Sequence, residues 1–283
     1  GSAKFISANE ILVSNSNNQE SIKFKNCVIA TGSQSSIIPK IEPDGEYILS
    51  SKDALNFQNI PDEMLIVGGG YIGLEMATFY KSIGSKIDIA EFLPNILPDM
   101  DHDLVNILYK QIKNRFNIML QTKVIDVVKK DGLVNVTFER ENGEKFSKNY
   151  NKILICIGRK PNTDTISIES TGIPITKEGF IKVNEQCRTI IPNIFAIGDV
   201  TGNPMLAHRA THQGKVAAEV ICGKKSHFNP NCIPYVIFTS PEIAWAGPSE
   251  NQLKNQKIDY QAKSFPWQAS GKALALGATF GRT

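Results

Sequence analysis

Three glycines and one glutamate are the first residues here whose types and spacing suggest chemistry. Gly68, Gly70 and Gly73 fill the three positions of a G-x-G-x-x-G pattern within MLIVGGGYIGLEMATF, a stretch that begins at Met64. The pattern lies between an apolar run that reads as a strand and a longer run that reads as a helix. In that setting the first glycine permits a tight turn and the second lets the backbone approach a pyrophosphate. The third lets helix and strand pack closely. The phosphates belong at the helix N-terminus, beside Tyr71, Ile72 and Gly73, where free N–H groups and the helix dipole favour anions. Glu91 ends the next apolar strand, 23 residues after Gly68. A carboxylate there accepts hydrogen bonds from a ribose 2′-hydroxyl and repels a 2′-phosphate. The following Phe92, Leu93 and Pro94 supply no arginine, which favours NAD over NADP.

Three further residues stay open on this reading. Tyr71 is a packing aromatic or a cofactor contact. Glu75 is a solvated charge that complements the helix dipole or a group facing the ligand. Asp199 follows an apolar strand and Gly198; it is a turn residue or an acceptor for a sugar or ribityl hydroxyl. Other chemistry is excluded more firmly. His102, His208, His212 and His227 lack zinc spacing, and Arg209 stands where the zincin pattern needs glutamate. Ser33, Ser240 and Ser270 lack a G-x-S-x-G elbow. Of the five cysteines, Cys27, Cys156, Cys187, Cys222 and Cys232, the closest pair is ten residues apart. They form no CxxC pair or metal cluster, and a reducing, cytoplasmic setting is expected. No metal site and no evident nucleophile–base pair follow from the sequence.

The elements that must position these groups read as an α/β chain. Short strands over 1–32 end at Gly32, and a polar connector runs through Pro39, Pro43 and Gly45 to 59–62. A strand at 64–67, a helix over 71–83 and a strand at 86–90 form a β-α-β unit. Asp101 is expected to cap a helix reaching 114, and a strand is expected at 117–120. The period then changes to two over 124–128, 133–138 and 143–150, with Asp131-Gly132 and Asn142-Gly143 as turns of an antiparallel meander. A buried strand at 153–157 ends at Gly158, and Arg159 to Asn162 reads as a turn. A strand at 193–197, a helix over 208–221, strands at 235–238 and 243–246 and a helix at 249–255 complete the pattern. Strand-then-glycine junctions at Gly32, Gly68, Gly158 and Gly198 aim several strand ends at something needing close backbone approach.

Composition sets broad limits. The 283 residues carry 31 basic and 28 acidic side chains, a formal charge of +3, mixed along the chain. That gives no nucleic-acid surface. No apolar run approaches the length of a membrane span, and no leader opens the chain.

Taken together, Ala30-Thr-Gly32, Gly68-Gly-Gly-Tyr-Ile-Gly-Leu-Glu75, Ile157-Gly-Arg-Lys-Pro-Asn162 and Ile194-Phe-Ala-Ile-Gly-Asp199 resemble, in order and spacing, the pyridine nucleotide–disulfide oxidoreductases. Asn117-Ile-Met-Leu-Gln-Thr-Lys123, Pro204-Met-Leu-Ala-His208, Pro241-Glu-Ile-Ala-Trp-Ala-Gly247 and Phe265-Pro-Trp267 resemble the branch that reoxidises dihydrolipoyl groups of 2-oxoacid dehydrogenase complexes. The resemblance spans essentially the whole chain. It implies two Rossmann-like nucleotide domains plus the start of an α+β dimerisation domain. Residues 1–51 and 187–228 would bind FAD, 52–186 would bind NAD, and 229–283 would begin the dimerisation domain. It places NAD at Gly68, Gly70, Tyr71, Ile72, Gly73, Glu75, Glu91 and Gly158. FAD is placed at Thr31, Gly32, Gly198, Asp199, Met205, Leu206, Ala207 and His208. Asp199 would hold the ribityl chain, Tyr71 would gate the nicotinamide, and Glu75 would pair with a lysine near the flavin. A homodimer meeting lipoyl domains and a complex core is the implied assembly.

The departures are as informative. The resemblance calls for an upstream glycine-rich FAD motif with a C-x4-C redox pair, and for a downstream His-Glu pair given across the dimer. None of these lies between Gly1 and Thr283, and the lysine partner of Glu75 is missing with them. The expectation is therefore an internal piece, inactive alone, of a disulfide reductase. Another flavin disulfide reductase with a different thiol substrate, a bare nucleotide-binding module and a structural partner in a larger complex are the alternatives.

Overall fold

A computed structural model describes residues 1–56 and 59–283; the part of the polar connector at 57–58 lies outside the described residues. Compactness divides the chain into two units, one of residues 1–34 and 159–233, the other of 35–158 and 234–283.

The second unit is built on a parallel five-stranded sheet. Its strands run in the order Ile48–Leu49, Lys152–Ile155, Glu63–Val67, Lys86–Ala90 and Asn117–Met119. Alternation along the central strand assigns its faces. Met64 and Ile66 join Leu74, Ala77, Leu108 and Ile112 of helices Tyr71–Ser82 and His102–Ile112. Leu65 and Val67 point the other way, into Val134, Val136 and Phe138 of the meander Thr122–Lys130, Leu133–Arg140 and Lys145–Tyr150. Asp88 is buried between these layers and satisfied there. The Tyr150 hydroxyl donates to its Oδ2 at 2.8 Å and Lys148 Nζ at 3.0 Å. Burial, reinforced by that carboxylate, pushes the Tyr150 phenol above its ordinary pKa.

Two local expectations fail in this unit for identifiable reasons. Asp101 does precede its helix, but its side chain makes no cap to that helix. Its Oδ1 instead accepts the N–H of Glu250, at the start of helix Glu250–Gln256, at 2.9 Å. The connector also holds ordered elements. Strand Ile48–Leu49 extends the sheet, and helix Ser51–Leu55 starts with a reciprocal cap between Ser50 and Asp53.

The first unit pairs strand Cys27–Ile29 in parallel with Ile194–Ala196 and carries an antiparallel meander, Ser2–Ser7, Glu10–Ser14 and Gln19–Lys23. Helix Ala207–Ile221 buries Val216, Ala217 and Val220 against Phe195. Packing groups two segments differently from the boundaries expected above. Residues 159–186 bring Ile166, Ile168, Ile173 and Ile181 into one core with Phe5 and Ile29, so they belong with the first unit. Residues 35–51 supply Ile41 and Ile48 to the core of the second. Arg159–Pro161 is a short extended strand rather than a turn. Among the described residues no helix is long and apolar enough to cross a membrane.

Candidate functional site

In the second unit the glycine turn is shaped by close approach. Gly68 has φ +112°, and a Cβ there would lie 2.4 Å from the Cys156 carbonyl oxygen. A Cβ on Gly73 would lie 2.2 Å from the Gly68 carbonyl oxygen. Both positions therefore demand glycine on internal grounds. Gly70 is different, since its Cβ would meet no atom within 4 Å. The turn is thus tight on its protein side and open at the middle glycine, where a phosphate would approach. Gly70 also caps helix Tyr71–Ser82 without any side-chain hydrogen bond, and the first turn carries no acidic residue. Nothing in that turn competes electrostatically with a bound anion.

Glu91 is 8% exposed. Its Oε2 accepts the Gly69 N–H at 2.6 Å and its Oε1 accepts the Leu93 N–H at 2.7 Å. Two backbone donors thus fix the carboxylate against the glycine turn, and each oxygen keeps a lone pair for a ribose hydroxyl. The strand expected to run to Gly158 stops at Ile155, and Gly158, at φ +127°, lies three residues beyond it, exposed to solvent. Tyr71 is exposed and Ile72 packs partly against the core. Glu75 departs from the solvated-charge reading: its Oε1 accepts the N–H of Phe238 at 2.9 Å.

In the first unit Gly32 and Gly198 follow the two paired strands, with φ +68° and +73°. Thr31 Oγ1 donates to the Asn162 carbonyl at 2.7 Å, and Asn162 returns bonds to the carbonyls of Thr31 and Gly32. Asn162 is therefore a clamp on the Thr31–Gly32 junction. Asp199 is half-buried, and its Oδ2 accepts the Ser33 hydroxyl at 2.5 Å. Met205 and Leu206 are half-buried, whereas Ala207 and His208 are exposed at the start of a helix capped by Leu206 without a side-chain bond.

The structure adds two residues beneath this loop that local pattern could not supply. Arg209 is 8% exposed and donates to the carbonyls of Gly202 at 2.6 Å and Pro204 at 3.2 Å, and to Thr201 Oγ1 at 2.9 Å. Gln213 Oε1 accepts the Gly198 N–H at 2.8 Å. Together they fix residues 198–204 ahead of the helix. The only sequence signal for either was its position in the first two turns of a helix that follows Gly-Asp.

All five cysteines are free thiols. Cys156 and Cys187 are buried, Cys27 is half-buried, and Cys222 and Cys232 are exposed. Burial pushes the Cys187 thiol up to about 11, with Arg209 opposing, so it is a packing residue rather than a nucleophile.

Comparison with known proteins agrees with this geometry. The family described as pyridine nucleotide-disulphide oxidoreductase matches residues 2–214, and its dimerisation domain matches residues 233–283. The dihydrolipoyl dehydrogenase of Buchnera aphidicola subsp. Schizaphis graminum is 46% identical over 284 residues, covering 100% of this chain and 60% of that protein. That of Vibrio cholerae is 43% identical over 283 residues, with the same coverage. Among solved structures, the HOCl-induced flavoprotein disulfide reductase RclA from Escherichia coli superposes with a TM-score of 0.85 at 26% identity. That match covers 100% of this chain and 64% of RclA. The chain spans about 60% of the length of the curated relatives it matches. It belongs to the pyridine nucleotide-disulphide oxidoreductase family.

Proposed function

We propose that this member of the family is the flavin- and NAD-binding part of a dihydrolipoyl dehydrogenase, which reoxidises protein-bound dihydrolipoyl groups of 2-oxoacid dehydrogenase complexes. The overall change converts a dithiol and NAD⁺ into a disulfide, NADH and a proton. The observation that carries the reading is identity of 46% and 43%, over the whole chain, to proteins of that name. The two strand-end carboxylates, Glu91 and Asp199, support it. A homodimer is supported by the match of residues 233–283 to the dimerisation domain.

Each residue then has a definite task. Gly68 and Gly73 fix the turn, Gly70 leaves room for the pyrophosphate, and the N–H groups of Tyr71 and Ile72 face its charge. Glu91 accepts the adenosine ribose hydroxyls and excludes a 2′-phosphate. Gly158 bounds the same site, while Tyr71 and Glu75 flank the nicotinamide. Thr31 and Gly32 line the flavin site, and Asp199 takes a ribityl hydroxyl. Residues 205–208 present backbone N–H groups and a positive helix end to the pyrimidine edge of the flavin. FAD, when bound, supplies the two-electron link between thiols and nicotinamide, and the chain supplies alignment and charge. None of the five cysteines here forms the redox pair that the reaction requires.

The test is NADH formation by the full-length gene product with dihydrolipoamide, glutathione and NADP⁺ as controls. Turnover with dihydrolipoamide and NAD⁺ alone is expected. Turnover only with another thiol would favour a sister disulfide reductase, and none with any thiol would overturn the enzymatic reading.

A further inference from the structure

Asp199 is the carboxylate assigned above to the flavin's ribityl chain, and its orientation is set from a distance in sequence. Its Oδ2 accepts the Ser33 hydroxyl at 2.5 Å. Ser33 Oγ in turn accepts Arg159 Nε–H at 2.7 Å, while Arg159 Nη2 donates to the Ser33 carbonyl at 2.8 Å. A serine hydroxyl has one proton and two lone pairs, whereas a guanidinium only donates. The Arg159 bond therefore occupies a lone pair of Ser33 and leaves its single proton no better acceptor than Asp199. The chain of bonds has one direction, from guanidinium to hydroxyl to carboxylate. Asp199 Oδ1 accepts no hydrogen bond among the described residues. All three residues belong to the first unit.

We propose that Arg159 and Ser33 are positioning residues for the flavin: a directed relay that locks the Asp199 carboxylate so that Oδ1 faces the ribityl hydroxyl. Arg159 acts through Ser33, not by touching the cofactor. The guanidinium's two donors grip both the hydroxyl and the carbonyl of Ser33, a planar geometry that a lysine cannot reproduce. The relay accounts for an arginine directly after Gly158 and a serine directly after Gly32. The inference rests on the FAD reading of Asp199.

The experiment is fluorescence titration of FAD into the apo form of the full-length gene product, with thermal melts to establish folding. Loss of one charge-assisted hydrogen bond is expected to weaken FAD about tenfold. Ser33→Ala and Arg159→Met should each show that loss. The double variant should be no weaker than either single one, because Arg159 has no hydroxyl left to act through. Ser33→Thr, which keeps the hydroxyl, should stay within about threefold of the parent. Arg159→Lys should fold even if Arg159→Met does not, and should still bind FAD more weakly than the parent. Additive losses in the double variant, or Ser33→Thr as weak as Ser33→Ala, would overturn the relay. So would unchanged affinity in both single variants while Asp199→Ala binds poorly. If Asp199→Ala itself leaves FAD affinity unchanged, the flavin assignment fails and the relay falls with it.

Discussion

Glu91 and Asp199 lie one in each unit, each a short step beyond a buried strand, yet they are held in different ways. Glu91 is gripped by backbone N–H groups of Gly69 and Leu93, one two residues away and the other in the adjoining turn. Asp199 is held by a side chain, Ser33, that is 166 residues distant and is itself oriented by Arg159. Backbone donors come free with the fold of a β-α-β unit, so a glycine pattern and an acidic residue at the right spacing suffice. Side-chain donors must be brought together by topology. The first arrangement draws on no neighbouring side chain for its donors; the second depends on one.

The largest expected effect comes from breaking the glycine turn. Gly68→Ala combines a left-handed backbone with a Cβ 2.4 Å from the Cys156 carbonyl oxygen. It should destabilise the protein by about 3 kcal/mol or more, read as a lower urea midpoint, and abolish NAD⁺ binding. Gly70→Ala, with no atom within 4 Å of its Cβ, should leave the midpoint within about 1 kcal/mol and still weaken NAD⁺. Equal loss of stability in both would contradict the open space at Gly70, and an unchanged NAD⁺ affinity in Gly70→Ala would show that this space serves no ligand.

Next comes the carboxylate itself. Glu91→Ser withdraws the carboxylate and its charge, so NAD⁺ should bind about tenfold more weakly while NADP⁺ gains relative to it. Kd values for both dinucleotides check this. An unchanged preference would mean that Glu91 is only a brace for the turn.

The smallest effect supplies a control, because Asp44 is a carboxylate held as Glu91 is but placed in no binding role. Burial raises its pKa, but Lys129 and the N–H groups of Ile48, Glu46 and Tyr47 outweigh that and bring it to about 2. A depressed carboxylate stabilises the fold above its unfolded pKa, near 3.9, and loses that contribution as pH falls through about 2. Asp44→Asn should therefore cost about 1 kcal/mol at neutral pH, discounted for its solvent exposure, and progressively less as pH falls through about 2. Chemical melts across that range test it, and NAD⁺ and FAD affinities should not move.

The same contrast explains what the sequence could show. Strand Lys86–Ala90, helix Tyr71–Ser82 and the placement of Glu91 are legible because period, glycine spacing and strand end are all local signals. The acidic residue after Gly198 was visible as well, but neither its serine donor nor the arginine behind it could be paired by eye. Asp101 illustrates the limit most simply. It has the residue type of an N-cap and the right place, but its carboxylate serves Glu250, 149 residues on. Glu75 likewise meets Phe238, 163 residues away, so its surroundings are set by tertiary structure rather than by its helix. Even the grouping of 159–186 followed from which core its isoleucines join, which no boundary signal announced.

The most direct measurement of the central claim, two nucleotide sites each organised by its own carboxylate, is a cross-titration. NAD⁺ and FAD would each be titrated into the full-length gene product and its Glu91→Ala and Asp199→Ala variants. Glu91→Ala should weaken NAD⁺ and leave FAD unchanged, and Asp199→Ala should do the reverse. Loss of both ligands in either variant, or of neither in both, would contradict the account.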